Sequence, residues 1–176
     1  ASFVTFVNVG SVNEPVGNTG VAHIFEHMAF KGTKEIGTTN WEKESAAITR
    51  ADFLYQQWVR ERSKPNPDQE RVERLKERFD EVVEEADQYV VSNEFTQIIE
   101  QNGGTGLNAF TSADATGYFY SLPENRAELW FSLESDRFLN PVFREFFAEK
   151  DVVMEERRMR TDSNPVGRLI EEFLSV

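Results

Sequence analysis

The run Gly20-Val21-Ala22-His23-Ile24-Phe25-Glu26-His27-Met28 constrains this chain more than any other stretch, because it holds both of the chain's histidines. Its frame of Val21, Ile24, Phe25, Met28 and Phe30 is apolar, which predicts a packed helix instead of a solvated one. On a helix, positions i and i+4 share one face about one turn apart, so both imidazoles reach a common point. Glu26 stands beside His27 and can lean toward the same point. Two neutral imidazoles and a nearby carboxylate are what a catalytic zinc requires. The ligands leave one position open, and the carboxylate can take a proton from bound water.

Composition narrows the rest of that site. With no cysteine and no other histidine, a third protein ligand has to be Asp or Glu. A length of 176 residues with 39% apolar content and 15 phenylalanines is enough for one domain with one substantial core. The formal charge of −12 argues against a nucleic-acid partner, which would need clustered Lys and Arg. No stretch approaches the ~18 apolar residues of a membrane span. Ala1 begins directly in a strand-like run and Val176 falls within a helical pattern, so the chain is expected to be part of a longer protein.

Residues 2–9 are β-branched and aromatic and predict a strand, followed by a turn over Gly10 to Pro15. Asn18 or Thr19 is expected to cap the motif helix, which should stop near Gly32. Residues 40–92 differ in kind. Ala47, Ala51, Leu54 and Trp58 form one seam, and Val72, Leu75, Phe79, Val82, Ala86 and Tyr89 form another. Spacings of three and four on both sides of a loop with Pro65 and Pro67 predict an antiparallel helical hairpin with a charged outer face. A further helix is expected from Asn93 to Gln101, then two strands within 105–121 around a Ser-Ala-Asp-Ala turn. An amphipathic helix should run through Leu129, Trp130, Leu133 and Phe138 to the break at Asn140-Pro141.

The last helix, from about Glu145 to Arg160, is the richest source of carboxylates. Glu149 and Glu156 stand seven apart and share a face with Val153 between them. That pattern lets one carboxylate bind a metal while the other holds a histidine ligand from behind. Spacing does not choose between Glu155 and Glu156 as the ligand.

Four segments, in order, resemble the inverted-motif zinc peptidases that include pitrilysin, insulin-degrading enzyme and the mitochondrial processing peptidase. They are GSVNEP at 10–15, AHIFEHMAFKGT at 22–33, LNAFTS at 107–112 and KDVVMEERR at 150–158. The resemblance implies an α+β fold with a mixed, mainly antiparallel sheet covered by helices. It implies His23, His27 and Glu156 as ligands of one Zn2+, Glu26 as general base, and Glu149 as the supporting carboxylate. It further implies that Asn108 and Ala109 lie on an edge strand that pairs with an extended or unfolded peptide, with Phe110 bordering the site. The hairpin at 40–92 is an insertion relative to the shortest family members. A second, similar half-domain, often supplying an Arg-Tyr pair, is expected to face this one and is absent from the chain.

The expected activity is zinc-dependent endopeptidase hydrolysis. The alternative is a non-catalytic or incomplete subunit of the same family that binds peptide; the intact histidine motif and Glu156 argue against it. A different metal hydrolase with the same ligands, or a purely structural α+β domain with a coiled-coil partner, are further readings. Family analogy favours a bacterial extracytoplasmic setting.

Overall fold

The computed structural model describes residues 1–174 apart from 16 and 18, with the backbone alone described at 170–172 and 174. Among the described residues the sheet has three strands, β1 (Ser2–Val7), β2 (Thr105–Thr111) and β3 (Thr116–Ser121), in the order β1-β3-β2 and antiparallel throughout. β1 stops two residues short of the expected end, because Ser11–Asn13 coil into a 3-10 turn. That turn is tied to the β2–β3 turn by Ser11 N–H to Ser112 O at 3.1 Å and Val12 N–H to Ala113 O at 3.0 Å.

Alternation along the central strand sends Tyr118 and Tyr120 to one face of the sheet. There α4 (Glu94–Gln101) and α5 (Ala127–Leu139) cover them, and Phe95, Ile99, Tyr120, Leu122 and Leu133 form the core. A polar network lies beneath this face: Glu134 accepts from Thr5 Oγ1, the Tyr120 hydroxyl and Arg137 Nη2 at 2.5–3.1 Å. The opposite face carries Val4, Phe6 and Phe110, all exposed, so one side of the sheet is open.

The hairpin follows its seams. α2 (Trp41–Arg62) and α3 (Gln69–Asp87) pack Ala51 and Leu54 against Leu75 and Phe79. Arg50 pairs with Glu85 at 2.6 Å and Arg71 with Glu61 at 3.2 Å, the crossed numbering of antiparallel neighbours. Asn40 and Asp68 cap the two helices through their side chains, accepting from Lys43 N–H and Arg71 N–H. α3 stops at Asp87, before the last seam residue Tyr89, because Thr39 N–H bonds Tyr89 O and Val91 N–H bonds Gly37 O, pulling the chain into an extended contact.

Two charged residues of the hairpin, Glu44 and Glu61, are buried, against the expectation of an outer charged face. Glu44 is fully inside, where it meets Arg144, itself 1% exposed. Arg144 directs its remaining donors to the carbonyls of Lys31, Thr33 and Ile36. One guanidinium therefore joins three segments: the start of α2, the loop at 31–37 and the approach to the last long helix. Gly37 makes room for it. A Cβ there would sit 2.5 Å from Arg144 Nη1, and its φ of +90° suits glycine. The last long helix, α6 (Phe146–Arg157), widens into a π-helical turn at Arg158–Asp162, and Pro165 opens a further helix, α7 (Pro165–Leu174).

Candidate metal centre

The motif helix, α1 (Val21–Met28), starts at Gly20 in the left-handed region, φ +93°. Among the described residues, its cap comes from an acid further back in the chain. Glu14, six residues earlier, accepts from Gly20 N–H at 2.8 Å and Ala22 N–H at 2.7 Å. Thr19 does not cap it, and Asn18 lies outside the described residues. A carboxylate at this end complements the helix dipole as well as the orphan amides, which gives the distant acid an advantage over a neutral side chain.

From α1, His23 and His27 project side by side, ring centroids 4.9 Å apart and nearly perpendicular. From α6, Glu156 faces both: Oε2 lies 3.6 Å from His23 Nε2, and Oε1 lies 3.9 Å from His27 Nε2. Donor atoms of the three residues all fall within 4.8 Å of one another. Ligands on a zinc with bonds of about 2.0–2.1 Å stand about 3.3 Å apart, so small adjustments close the set. Glu156 Oε2 is buried and has no hydrogen-bond donor among the described residues, with Arg160 in ion-pair range at 3.4 Å. A buried carboxylate oxygen left in that state is destabilising, and a cation between it and two imidazoles satisfies it. The donor set fits zinc. Glu155, by contrast, is exposed and paired with Arg158 at 2.5 Å, so of the two adjacent acids only Glu156 faces the histidines.

Behind His27, Glu149 Oε2 lies 3.0 Å from Nδ1. An ionised carboxylate only accepts, so Nδ1 donates to it and Nε2 is the nitrogen turned toward Glu156. Lys31 bonds the other oxygen of Glu149 at 2.5 Å and reaches Glu145 at 3.1 Å. Burial alone would push the Glu149 carboxyl up; hydrogen bonds from Lys31 and His27 outweigh it and hold the carboxyl below its ordinary range.

Glu26 stands outside the converging set. Its Oε2 accepts from the Thr111 hydroxyl on β2. The neighbouring Thr116 hydroxyl donates to Val9 O at 3.0 Å and so does not compete for Glu26. Glu26, His27, Lys31, Glu149, Asn108 and Ala109 line one cleft of about 250 Å³ between α1 and the edge strand β2. Asn108 Oδ1 accepts from the Ala109 amide at 2.9 Å. Phe110 lies elsewhere: its ring covers Gly117 on the open sheet face and does not line the cleft. Cavities of about 390 and 360 Å³ lie behind α1 and beside the hairpin base, and neither is lined by a histidine. Sequence reasoning does not single out Lys31 and Thr111. Both stand inside the motif segments, but their partners are distant in the chain.

The model of the family described as Insulinase (Peptidase family M16) matches residues 1–52 and 82–175. The chain belongs to this family. It is 28% identical over 169 residues to Zinc protease PqqE of Helicobacter pylori (strain ATCC 700392 / 26695), covering 95% of this chain and 26% of that protein. A crystal structure of a protease from Helicobacter pylori matches with a TM-score of 0.59 at 26% identity, over 96% of this chain and 28% of that one. This M16 chain spans about a quarter of the length of the relatives it matches. Residues 53–81, the outer part of the hairpin, fall outside the family match. No helix among the described residues is long and apolar enough to cross a membrane.

Proposed function

We propose that this chain is the catalytic half-domain of a zinc endopeptidase acting on extended or unfolded peptides. The observation that carries it is the meeting of His23, His27 and Glu156 from two helices, with Glu26 beside them and outside the ligand set. His23, His27 and Glu156 would hold the zinc ion, which would supply Lewis acidity toward water and a peptide carbonyl. Glu149 keeps His27 in the tautomer that offers Nε2 as a donor. Thr111 holds one oxygen of Glu26, leaving Oε1 to accept a proton from the attacking water and return it to the leaving amine. The free edge of β2 takes the substrate as an added strand, so that Asn108 and Ala109 set its register alongside Glu26. A second half-domain, in the same protein or another subunit, closes the other side of the cleft.

The test pairs wild type with Glu26→Gln, measuring zinc by elemental analysis and cleavage of an unfolded peptide. About one zinc per chain in both, with turnover at least ~100-fold lower in the variant, is the expected result. Zinc loss in Glu26→Gln would show that Glu26 is a ligand and not the base. Zinc without cleavage in either form would support the alternative, an incomplete peptide-binding subunit that lacks its opposite half.

A further inference from the structure

The hairpin contacts the ligand-bearing helix from behind. Phe147 of α6 packs its ring against Tyr55 at 4.7 Å and Phe79 at 4.8 Å, and it belongs to the hairpin's own apolar cluster. Lys150, one turn on, donates to the Tyr55 hydroxyl at 3.0 Å. Tyr55 and Phe79 both lie in the segment 53–81 that the family match leaves out. Nine helical positions at about 100° each put Phe147 on the side of α6 opposite Glu156. Contact on that side presses the carboxylate face toward α1.

α6 has no deeply buried face of its own. None of its residues is fully buried, and it begins at Glu145 in the left-handed region without a side-chain cap. Its front face meets α1 through charged and imidazole groups: Lys31 and His27 with Glu149, and both histidines with Glu156. Such polar contacts set direction but supply little cohesion without a metal. The aromatic contact at Phe147 provides apolar burial, and the Arg144–Glu44 pair anchors the approach to α6 on the same hairpin.

We infer that the segment 53–81 is a brace for the metal centre, with Tyr55 and Phe79 as positioning residues that hold α6 where Glu149 and Glu156 meet the histidines. The brace stands on the packing; only its affinity readout rests on the metal assignment above. The variants are Phe79→Ala and Phe79→Leu, the latter keeping an apolar side chain in the seam while removing the ring from Phe147. Leu75→Ala, one turn away in the same seam, serves as the control for general loss of hairpin stability.

Zinc affinity of the full chain is measured by competition with a chromophoric chelator, and amide hydrogen exchange is followed along α6. Both Phe79 variants should bind zinc about ten- to a hundredfold more weakly, as when a supporting partner of a ligand is lost, and should exchange faster across α6. Leu75→Ala should leave affinity and α6 exchange near wild type. Unchanged affinity and α6 exchange in Phe79→Leu would overturn the inference, as would an equal loss of affinity in Leu75→Ala. If wild type binds no zinc, the metal reading fails by itself, and α6 exchange alone decides the brace.

Discussion

The metal centre and the hairpin are built on opposite plans. In the hairpin, each element contains its own instructions: two seams, two capped starts and a loop with two prolines, joined by contacts such as Arg50–Glu85 that span 35 positions. At the metal centre, α1 and α6 are short helices whose facing groups are polar, and the His27–Glu149 contact spans 122 positions. The hairpin gains stability by removing apolar surface from water. The metal centre gathers groups that would each be better solvated apart, and holds them for chemistry. Binding chemistry is thus concentrated where intrinsic cohesion is lowest, and a cohesive element is stacked behind it.

The contrast is tested most severely at His27. His27→Ala leaves one imidazole and Glu156, too few ligands for a catalytic zinc, so metal content should fall from about one per chain to near zero. Hairpin helicity, followed by circular dichroism, should be unchanged. Melting of both regions in this variant would mean that they are not separate plans.

Arg144 joins the regions, and it carries the next largest effect. Arg144→Met leaves Glu44 buried and unpaired and strands three carbonyls, which should cost about 3–5 kcal/mol in urea unfolding. A loss below ~1 kcal/mol would show that the junction contributes nothing to either side.

A pH titration separates the regions more gently. In the hairpin, Lys64 bonds Glu61 at 2.7 Å and, against the effect of burial, holds its carboxyl below the ordinary value of 4.5; the Asp68 amide and Arg71 reinforce the shift. A lowered folded value means that the stabilisation is complete above about pH 4.5 and is lost as pH falls through the folded value. Protection of the α2–α3 loop from hydrogen exchange should drop in that window, and Glu61→Gln should abolish the pH dependence.

The smallest effect is expected at Asp87, the last residue of α3. Burial raises its carboxyl above the ordinary range, and Glu145, Glu44 and Glu84 add to the rise. Its charge also opposes the helix dipole. Asp87→Asn should therefore stabilise the hairpin at neutral pH, by roughly 0.5 kcal/mol from the dipole alone. The gain should fade as pH falls and the wild-type carboxyl takes up its proton.

Local periodicity and residue identity by themselves make much of this molecule legible. The seams at 47–58 and 72–89 define α2 and α3, and alternation around Ser112–Ala115 defines β2 and β3, because helix and strand periods are properties of neighbouring residues. The pairing of His23 with His27 is likewise a one-turn fact. Tertiary structure alone decided what depends on closing long loops. Glu156, and not Glu155, faces the histidines because of how α6 is rotated against α1. Glu14 caps α1 across a turn, and Thr111 reaches Glu26 from a strand 85 positions away. Arg144 and Glu44 look like surface charges in the sequence, yet they are buried because each supplies the other's counter-charge. Short-range order is written into spacing; the pairing of distant polar groups is settled only when the packed core has fixed where each one points.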